Sequence, residues 1–396
     1  MSADRAQRGL LSGYRVIEIG DPAAMFAGKI FGDMGAEVVR VVPSHGDPWR
    51  AALPAVPWGG EQVSALWLAY NTSKSMVGLD IDTPEGRDLF EKLVDRADVA
   101  VASGPTAWLK ERRLLPEQLR ATRKKLVAMT ITPFGLTGPK HDWIGSDLVL
   151  EAAGGMLFLN GDEDRPPVRI SEEMVWAQGG SQGAFVALAA LQSAQRDGIG
   201  ESIDLSLQET VAGALVYVMP YWRIERRLRM RHAKTVLGPN ISVPSIWPCK
   251  DGYVCYRLSF GRGMGKKNLR LIGWMADEGM DDGLLAVDWE KVSLIELTQA
   301  EADGYVRRIT RFFMTRTRAE LYAGARERHM LLFPAMELGD MLGSEQLAQR
   351  GFFTELSNPR GGKARFPGAS FKTGTLDEPQ PFAPPSPIKR YAGAPE

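Results

Sequence analysis

Cysteine is almost absent: Cys249 and Cys255 are the two thiols in 396 residues. Two thiols cannot build a disulfide framework, and their spacing is not the C-x-x-C of a zinc or redox site. A reducing, cytoplasmic setting is expected. Histidine is also sparse. His45, His141, His232 and His329 are scattered with no H-x-x-x-H pair, so no metal site is predicted and each imidazole is read as packed or solvated. Charge of one sign is not in excess, because 48 Lys and Arg offset 48 Asp and Glu. That balance argues against nucleic acid or acidic lipid as partners, since such binding rests on surplus positive charge. No window approaches about 18 uninterrupted apolar residues, and the opening MSADRAQRGL has no apolar run. Neither export nor a membrane span is predicted. Two nucleotide fingerprints are missing as well. The turn after the first predicted strand reads Gly20-Asp21-Pro22-Ala23-Ala24 and lacks G-x-G-x-x-G, so NAD and FAD are not inferred. No P-loop occurs, and the G-x-S-x-G match at Gly179-Gly180-Ser181-Gln182-Gly183 falls inside an Ala- and Gly-rich helical stretch, not at a strand-to-helix turn, so a serine hydrolase of that type is not inferred.

What is present is an ordinary globular balance, 44% hydrophobic and 24% charged, in a chain long enough for two or three domains. Apolar strands alternate with helical stretches over the first two hundred residues. Tyr14–Ile19, Ala36–Val42, Ala97–Ala102 and Leu126–Thr132 read as buried strands. Ala24–Met34, Pro84–Asp95 and a segment around Pro116–Arg123 read as helices, the second with Leu89, Leu93 and Val94 on one face. Strand and helix in alternation predict an α/β domain whose parallel sheet is covered on both faces. An Ala- and Gly-rich helix follows at Gln178–Arg196, stopped by Gly198 and Gly200, and Ser202–Leu207 alternates like a strand. Beyond it the texture changes to arginine and proline, with a strand at Gly252–Leu258. The predicted organisation is a large domain over 1–205, a linker over 206–225, a small domain over 226–325, and a returning segment over 326–396.

Several segments, in order and at matching spacing over nearly the whole chain, resemble the family III CoA-transferases. They are Gly32-Asp33-Met34-Gly35-Ala36-Glu37-Val38-Val39-Arg40, Gly46-Asp47-Pro48, Asn71-Thr72-Ser73-Lys74, Phe134-Gly135-Leu136-Thr137-Gly138-Pro139, Asp197-Gly198-Ile199-Gly200-Glu201, Cys249-Lys250-Asp251-Gly252 and Gln349-Arg350-Gly351-Phe352-Phe353. The resemblance implies a Rossmann-like large domain built from both chain ends, a smaller central α+β domain, and two ring-like chains interlocked as a dimer. It implies coenzyme A or acyl-CoA as substrate, with a carboxylic acid as acceptor. Arg40 and Lys74 fall at the family's basic positions, and Gly135, Thr137 and Gly138 in a loop near that ligand. Fixed cations and free backbone amides are what a polyphosphate ligand needs.

The family's transferases use one aspartate as nucleophile, which must attack a thioester and later leave. Counting back from Gly198 and Gly180 places Trp176 at that position. An indole supplies neither an anion nor a leaving group. Racemisation, the family's other chemistry, needs a histidine where Ser146 stands. Glu172 and Glu173 are the substitutes within reach of the same helix face, although Ser171 as a helix N-cap with glutamates in the first turn accounts for them structurally. A full framework without its nucleophile resembles the non-nucleophilic subunit of heteromeric members of the benzylsuccinate CoA-transferase type. Three arrangements stay open: a heterodimer with an Asp-bearing relative, a homodimer using Glu172 or Glu173, and a non-catalytic CoA-binding assembly protein. Two further features are read as surface: the run Arg223–Lys234, as a solvated face or subunit contact, and the glycine-rich loop Gly261–Lys267.

Overall fold

The computed structural model describes residues 9–171, 173–226, 228, 230–231, 234–237, 241–358, 361–372 and 383–390. Seven strands form one parallel sheet: β1 (Arg15–Gly20), β2 (Glu37–Val42), β3 (Lys74–Gly78), β4 (Val99–Ser103), β5 (Val127–Thr132), β6 (Ser202–Ser206) and β7 (Ile388–Arg390). Their spatial order is β7-β3-β2-β1-β4-β5-β6, and every pairing is parallel. Continuous apolar runs such as Val38, Val39, Val41 and Val42 in β2 are buried because helices cover both faces of the sheet. The predicted mixed α/β class with a large parallel sheet is the one observed, with strand ends displaced by a residue or two.

Helix α1 (Pro22–Asp33) starts where local chemistry directs. Asp21 accepts from the Ala23 N–H at 3.2 Å, and Pro22 needs no donor in the first turn. Short α2 (Ala65–Tyr70) is capped by Ser64, and α3 (Pro84–Val94) by Thr83. Helix α4 (Asp147–Ala153) precedes the long α5 (Met174–Asp197), which packs along α1. The sequence reading starts α5 at Gln178 and separately offers Ser171 as an N-cap with Glu172 and Glu173 in the first turn. The helix begins four residues earlier, at Met174, after Glu173, which makes no side-chain capping bond. The cap comes from another element: the Asp147 carboxylate accepts from the Val175 N–H at 2.8 Å. Gly180 lets α1 and α5 touch, because a Cβ there would lie 2.7 Å from the Ala23 carbonyl oxygen and 2.8 Å from Phe26 Cβ.

The chain divides into two compact units. One comprises Met1–Leu157, Arg169–Leu228 and Glu345–Glu396, and holds the parallel sheet. The other comprises Phe158–Val168 and Arg229–Ser344. Within the second, an antiparallel sheet of Ile246–Cys249, Gly252–Tyr256 and Leu332–Pro334 packs with the helix Gln299–Phe313 on a core containing Trp247, Trp289, Phe312 and Phe313. Trp247 lies buried because its Nε1–H donates to the Tyr256 carbonyl at 2.8 Å. No described helix is long and apolar enough to cross a membrane.

Candidate functional site

Strand order reverses beside β1, where β2 continues to one side and β4 to the other. In an open α/β sheet the crevice at the carboxyl ends of such strands is where ligands bind. A cavity of ≈ 570 Å³ lies there. Gly20 and Asp21 at the end of β1, Arg40 of β2, and Ser103 and Gly104 at the end of β4 form its floor. Gly20 has φ +114°, and a Cβ on it would sit 1.9 Å from the Ser103 carbonyl oxygen, so only glycine lets β1 and β4 diverge here. Trp108 and Arg112 form one wall, with the Arg112 guanidinium 5.1 Å from the Trp108 ring centroid. Asp80, Asp82, His45 and Trp49 complete the rim. A flat indole between hydrogen-bond acceptors suits the nucleoside end of a nucleotide ligand.

Beneath the floor lies a buried charge cluster. Glu18, wholly buried in β1, accepts from Lys74 Nζ at 2.8 and 3.0 Å and from Arg40 at 3.3 Å. Asp47 accepts from Arg40 Nε at 2.8 Å and from Trp67 Nε1 at 2.8 Å. Two cations thus meet two carboxylates, and the cluster carries no net charge. Burial opposes the charge of Arg40, but Asp47 and Glu18 outweigh it and hold its pKa above the usual arginine value. For Lys74 burial wins over Glu18, and the ammonium is pushed down to about 8. Arg40 therefore reaches the cavity as a hydrogen-bonded part of its floor. Lys74 is fully enclosed, donating also to the Met25 carbonyl and Asn71, and does not line the cavity.

Asp21 differs from these carboxylates. Burial pushes it up to about 6, against hydrogen bonds from Ser103 and the Ala23 N–H and the attraction of Arg40, and Glu173 adds to the rise. The sequence reading passed over it. The available signal was an aspartate at the end of a buried strand, directly before the proline that opens a helix. His45, Trp108 and Arg112 were likewise not singled out, because strand order alone brings them to one crevice.

Trp176 lies in the first turn of α5, 6% exposed, in a core cluster with Ala23, Ala24 and Val175. It does not line the cavity. Glu172 lies outside the described residues. Glu173 lies close enough to Asp21 to raise its pKa. It also lines a second cavity of ≈ 300 Å³, whose wall includes Trp49, a residue of the first cavity too. Below the start of α5 two more carboxylates are enclosed. Asp147 is 3.5 Å from Arg169, and Glu151 accepts from the Ile170 N–H at 3.3 Å. Burial raises the pKa of both above the usual carboxylate range. Asp147 thus serves as the cap of α5. Gly135, Thr137 and Gly138 lie in the loop after β5, where Thr137 and Gly138 are exposed and the Leu136 N–H donates to Asp204 at 2.9 Å. None of the three lines the cavity. Cys249 and Cys255 are free thiols, and among the described residues no group of three His, Cys, Asp or Glu is placed to hold a metal.

Known proteins resemble the chain in sequence and in fold. The profile of CoA-transferase family III matches residues 11–387. The succinyl-CoA:(R)-benzylsuccinate CoA-transferase subunit BbsE of Thauera aromatica is 30% identical over 371 residues, covering 92% of this chain and 88% of that protein. The succinate–glutarate CoA-transferase of Agrobacterium fabrum is 32% identical over 280 residues, 68% of each chain. Among solved structures, a CAIB/BAIF family protein from Brucella suis superposes with a TM-score of 0.81 at 23% identity, covering 95% of this chain and 96% of that one. An aspartate-to-alanine mutant of Rv3272 from Mycobacterium tuberculosis gives 0.74 at 18% identity, covering 96% and 97%. These last two likenesses carry the fold. With the family profile spanning almost its whole length, the chain belongs to CoA-transferase family III.

Proposed function

We propose that this chain is a cytoplasmic acyl-CoA:carboxylate CoA-transferase component that binds a CoA thioester in the cavity at the ends of β1, β2 and β4. In this reading it lacks the aspartate nucleophile, pairs with an Asp-bearing relative, and interlocks with it as a ring-like dimer. What supports the reading is a ligand crevice at the ends of β1, β2 and β4, together with Trp176, which the family resemblance puts at the nucleophile position and which is an indole buried in the core outside that crevice. Trp108 and Arg112 hold the nucleoside end, and Arg40, fixed by Asp47 and Glu18, sets the floor. The partner's carboxylate attacks the thioester carbonyl and expels the CoA thiolate, giving a mixed anhydride. The thiolate then attacks the anhydride's aspartyl carbonyl and releases the donor acid. The acceptor carboxylate next displaces the thiolate from the aspartyl thioester, and the thiolate, returning to the acceptor's acyl carbon, frees the aspartate. Two relatives support a heteromer by their descriptions, the BbsE subunit and the Chloroflexus aurantiacus succinyl-CoA–L-malate CoA-transferase beta subunit.

A second reading has its own observation. Glu173 lines the cavity that adjoins the CoA crevice at Trp49, and it lies near Asp21. A homodimer would then use Glu173 as the relocated nucleophile. The test is co-expression with an Asp-bearing relative, followed by incubation of each form with acyl-CoA and hydroxylamine. A mixed dimer that turns over, with trapping confined to the partner's aspartate, is expected. A hydroxamate on Glu173 of the chain purified alone would replace the first reading by the second.

A further inference from the structure

We propose that Asp147 and Glu151 share a single proton, and that this proton positions the first turn of α5, where Trp176 sits, by keeping the Asp147 cap in place. The two carboxyls stand four residues apart on α4, a spacing that brings side chains to one helix face. Both are enclosed, Asp147 3% exposed and Glu151 0%, and they lie within hydrogen-bond reach of each other. A backbone amide satisfies one oxygen of each. The Val175 N–H donates to Asp147 Oδ1 at 2.8 Å, and the Ile170 N–H to Glu151 Oε2 at 3.3 Å. The other two oxygens, Asp147 Oδ2 and Glu151 Oε1, are buried with no hydrogen-bond donor among the described residues. One proton satisfies both, because the O–H of one carboxyl then donates to the other.

Charge leads to the same count. Two ionised carboxylates would put two negative charges in an enclosed site whose cation is Arg169, 45% exposed and 3.5 Å from Asp147 Oδ2. Helix Leu207–Ala214, packed on α4, has Glu209 as its one charged residue, and that side chain is exposed. The stretch Met174–Ala184 of α5 carries no charge, and Glu173 before it acts on Asp21. With Glu151 protonated, the charge left on Asp147 is matched by Arg169, and a like-charge pair at this spacing is avoided. Burial, and for Glu151 also the Asp147 charge, holds both above their ordinary values of 3.8 and 4.5. The shared-proton state is therefore complete below those values and is lost as pH rises through the raised ones, when Glu151 ionises against the cap.

Hydrogen exchange at the Val175 and Trp176 amides tests this, followed on the full chain between about pH 5 and 9 and corrected for intrinsic rates. In the wild type their protection should fall by up to roughly tenfold per pH unit while the pair loses its proton. Glu151→Gln keeps the shape, gives Asp147 a permanent donor, and should remove that slope. Asp21 titrates in both proteins and cancels in the comparison. Infrared difference spectra, wild type minus Glu151→Gln at about pH 6, should show one more protonated carboxyl in the wild type, since ordinary carboxyls are ionised there. Asp147→Asn, whose amide donates to Glu151, gives the same two comparisons if Glu151→Gln does not fold. Equal pH dependence of protection in wild type and variant overturns the proposal. So does a difference spectrum without the protonated carboxyl, the result expected if both groups are ionised around Arg169.

Discussion

At the residue scale, the site is governed by which charges the fold encloses. Asp21 binds its proton more tightly folded, at about 6, than unfolded, at 3.8. The stability it confers is fully present below 3.8 and is lost as pH rises through 6. Asp21→Asn keeps the N-cap acceptor but cannot ionise, so the variant should gain on the wild type by on the order of 1 kcal/mol between pH 4 and 7. Urea midpoints across that range check it, and a constant difference refutes it. Glu18 faces the opposite situation. Glu18→Gln leaves Lys74 enclosed with a neutral partner while Arg40 keeps Asp47, and a cost of roughly 3–5 kcal/mol is expected in urea unfolding. Replacing Lys74 with Met in the same variant should recover part of it. Arg40 and Lys74 were legible as a basic pair from their motifs. Their neutralisation was not, because Glu18 reads in sequence only as an acid within an apolar strand.

At the element scale, the contact between α1 and α5 places Trp176, Glu173 and Asp21 together. Gly180→Ala should cost about 1–3 kcal/mol, since its Cβ would press on the Ala23 carbonyl and on Phe26. A lowered urea midpoint with unchanged slope is the expected result, and an unaltered midpoint would mean that the helices separate freely. Periodicity identified both helices. The start of α5 was misplaced because its cap, Asp147, comes from α4, and local sequence cannot report a carboxylate supplied from 28 residues away. Where the cap lies next to its helix, as with Thr83 before Pro84, the start is readable; α1 was read from Ala24, two residues late, because Asp21 was passed over as its cap.

At the scale of the whole molecule, the first unit exposes apolar side chains that a lone chain would keep in water: Phe185 is 71% exposed, Ile224 80% and Leu228 73%. Such surface fits a subunit interface. Sedimentation velocity should give a dimer, and the double substitution Ile224→Asp/Leu228→Asp should shift it toward monomer; a monomeric wild type would count against the interlocked pair. The alternation of apolar strands and helices was enough, by itself, to determine the α/β class, because a sheet covered on both faces buries the side chains on both sides of its strands and so favours near-continuous apolar runs. The ordered motifs likewise determined the family. Only the tertiary structure decided that Asp21, Trp108 and Arg112 share one crevice, that Lys74 is sealed beneath it, and that Trp49 joins it to an apolar cavity. Those facts depend on strand order and on the distance between side chains far apart in the chain, which no local pattern encodes.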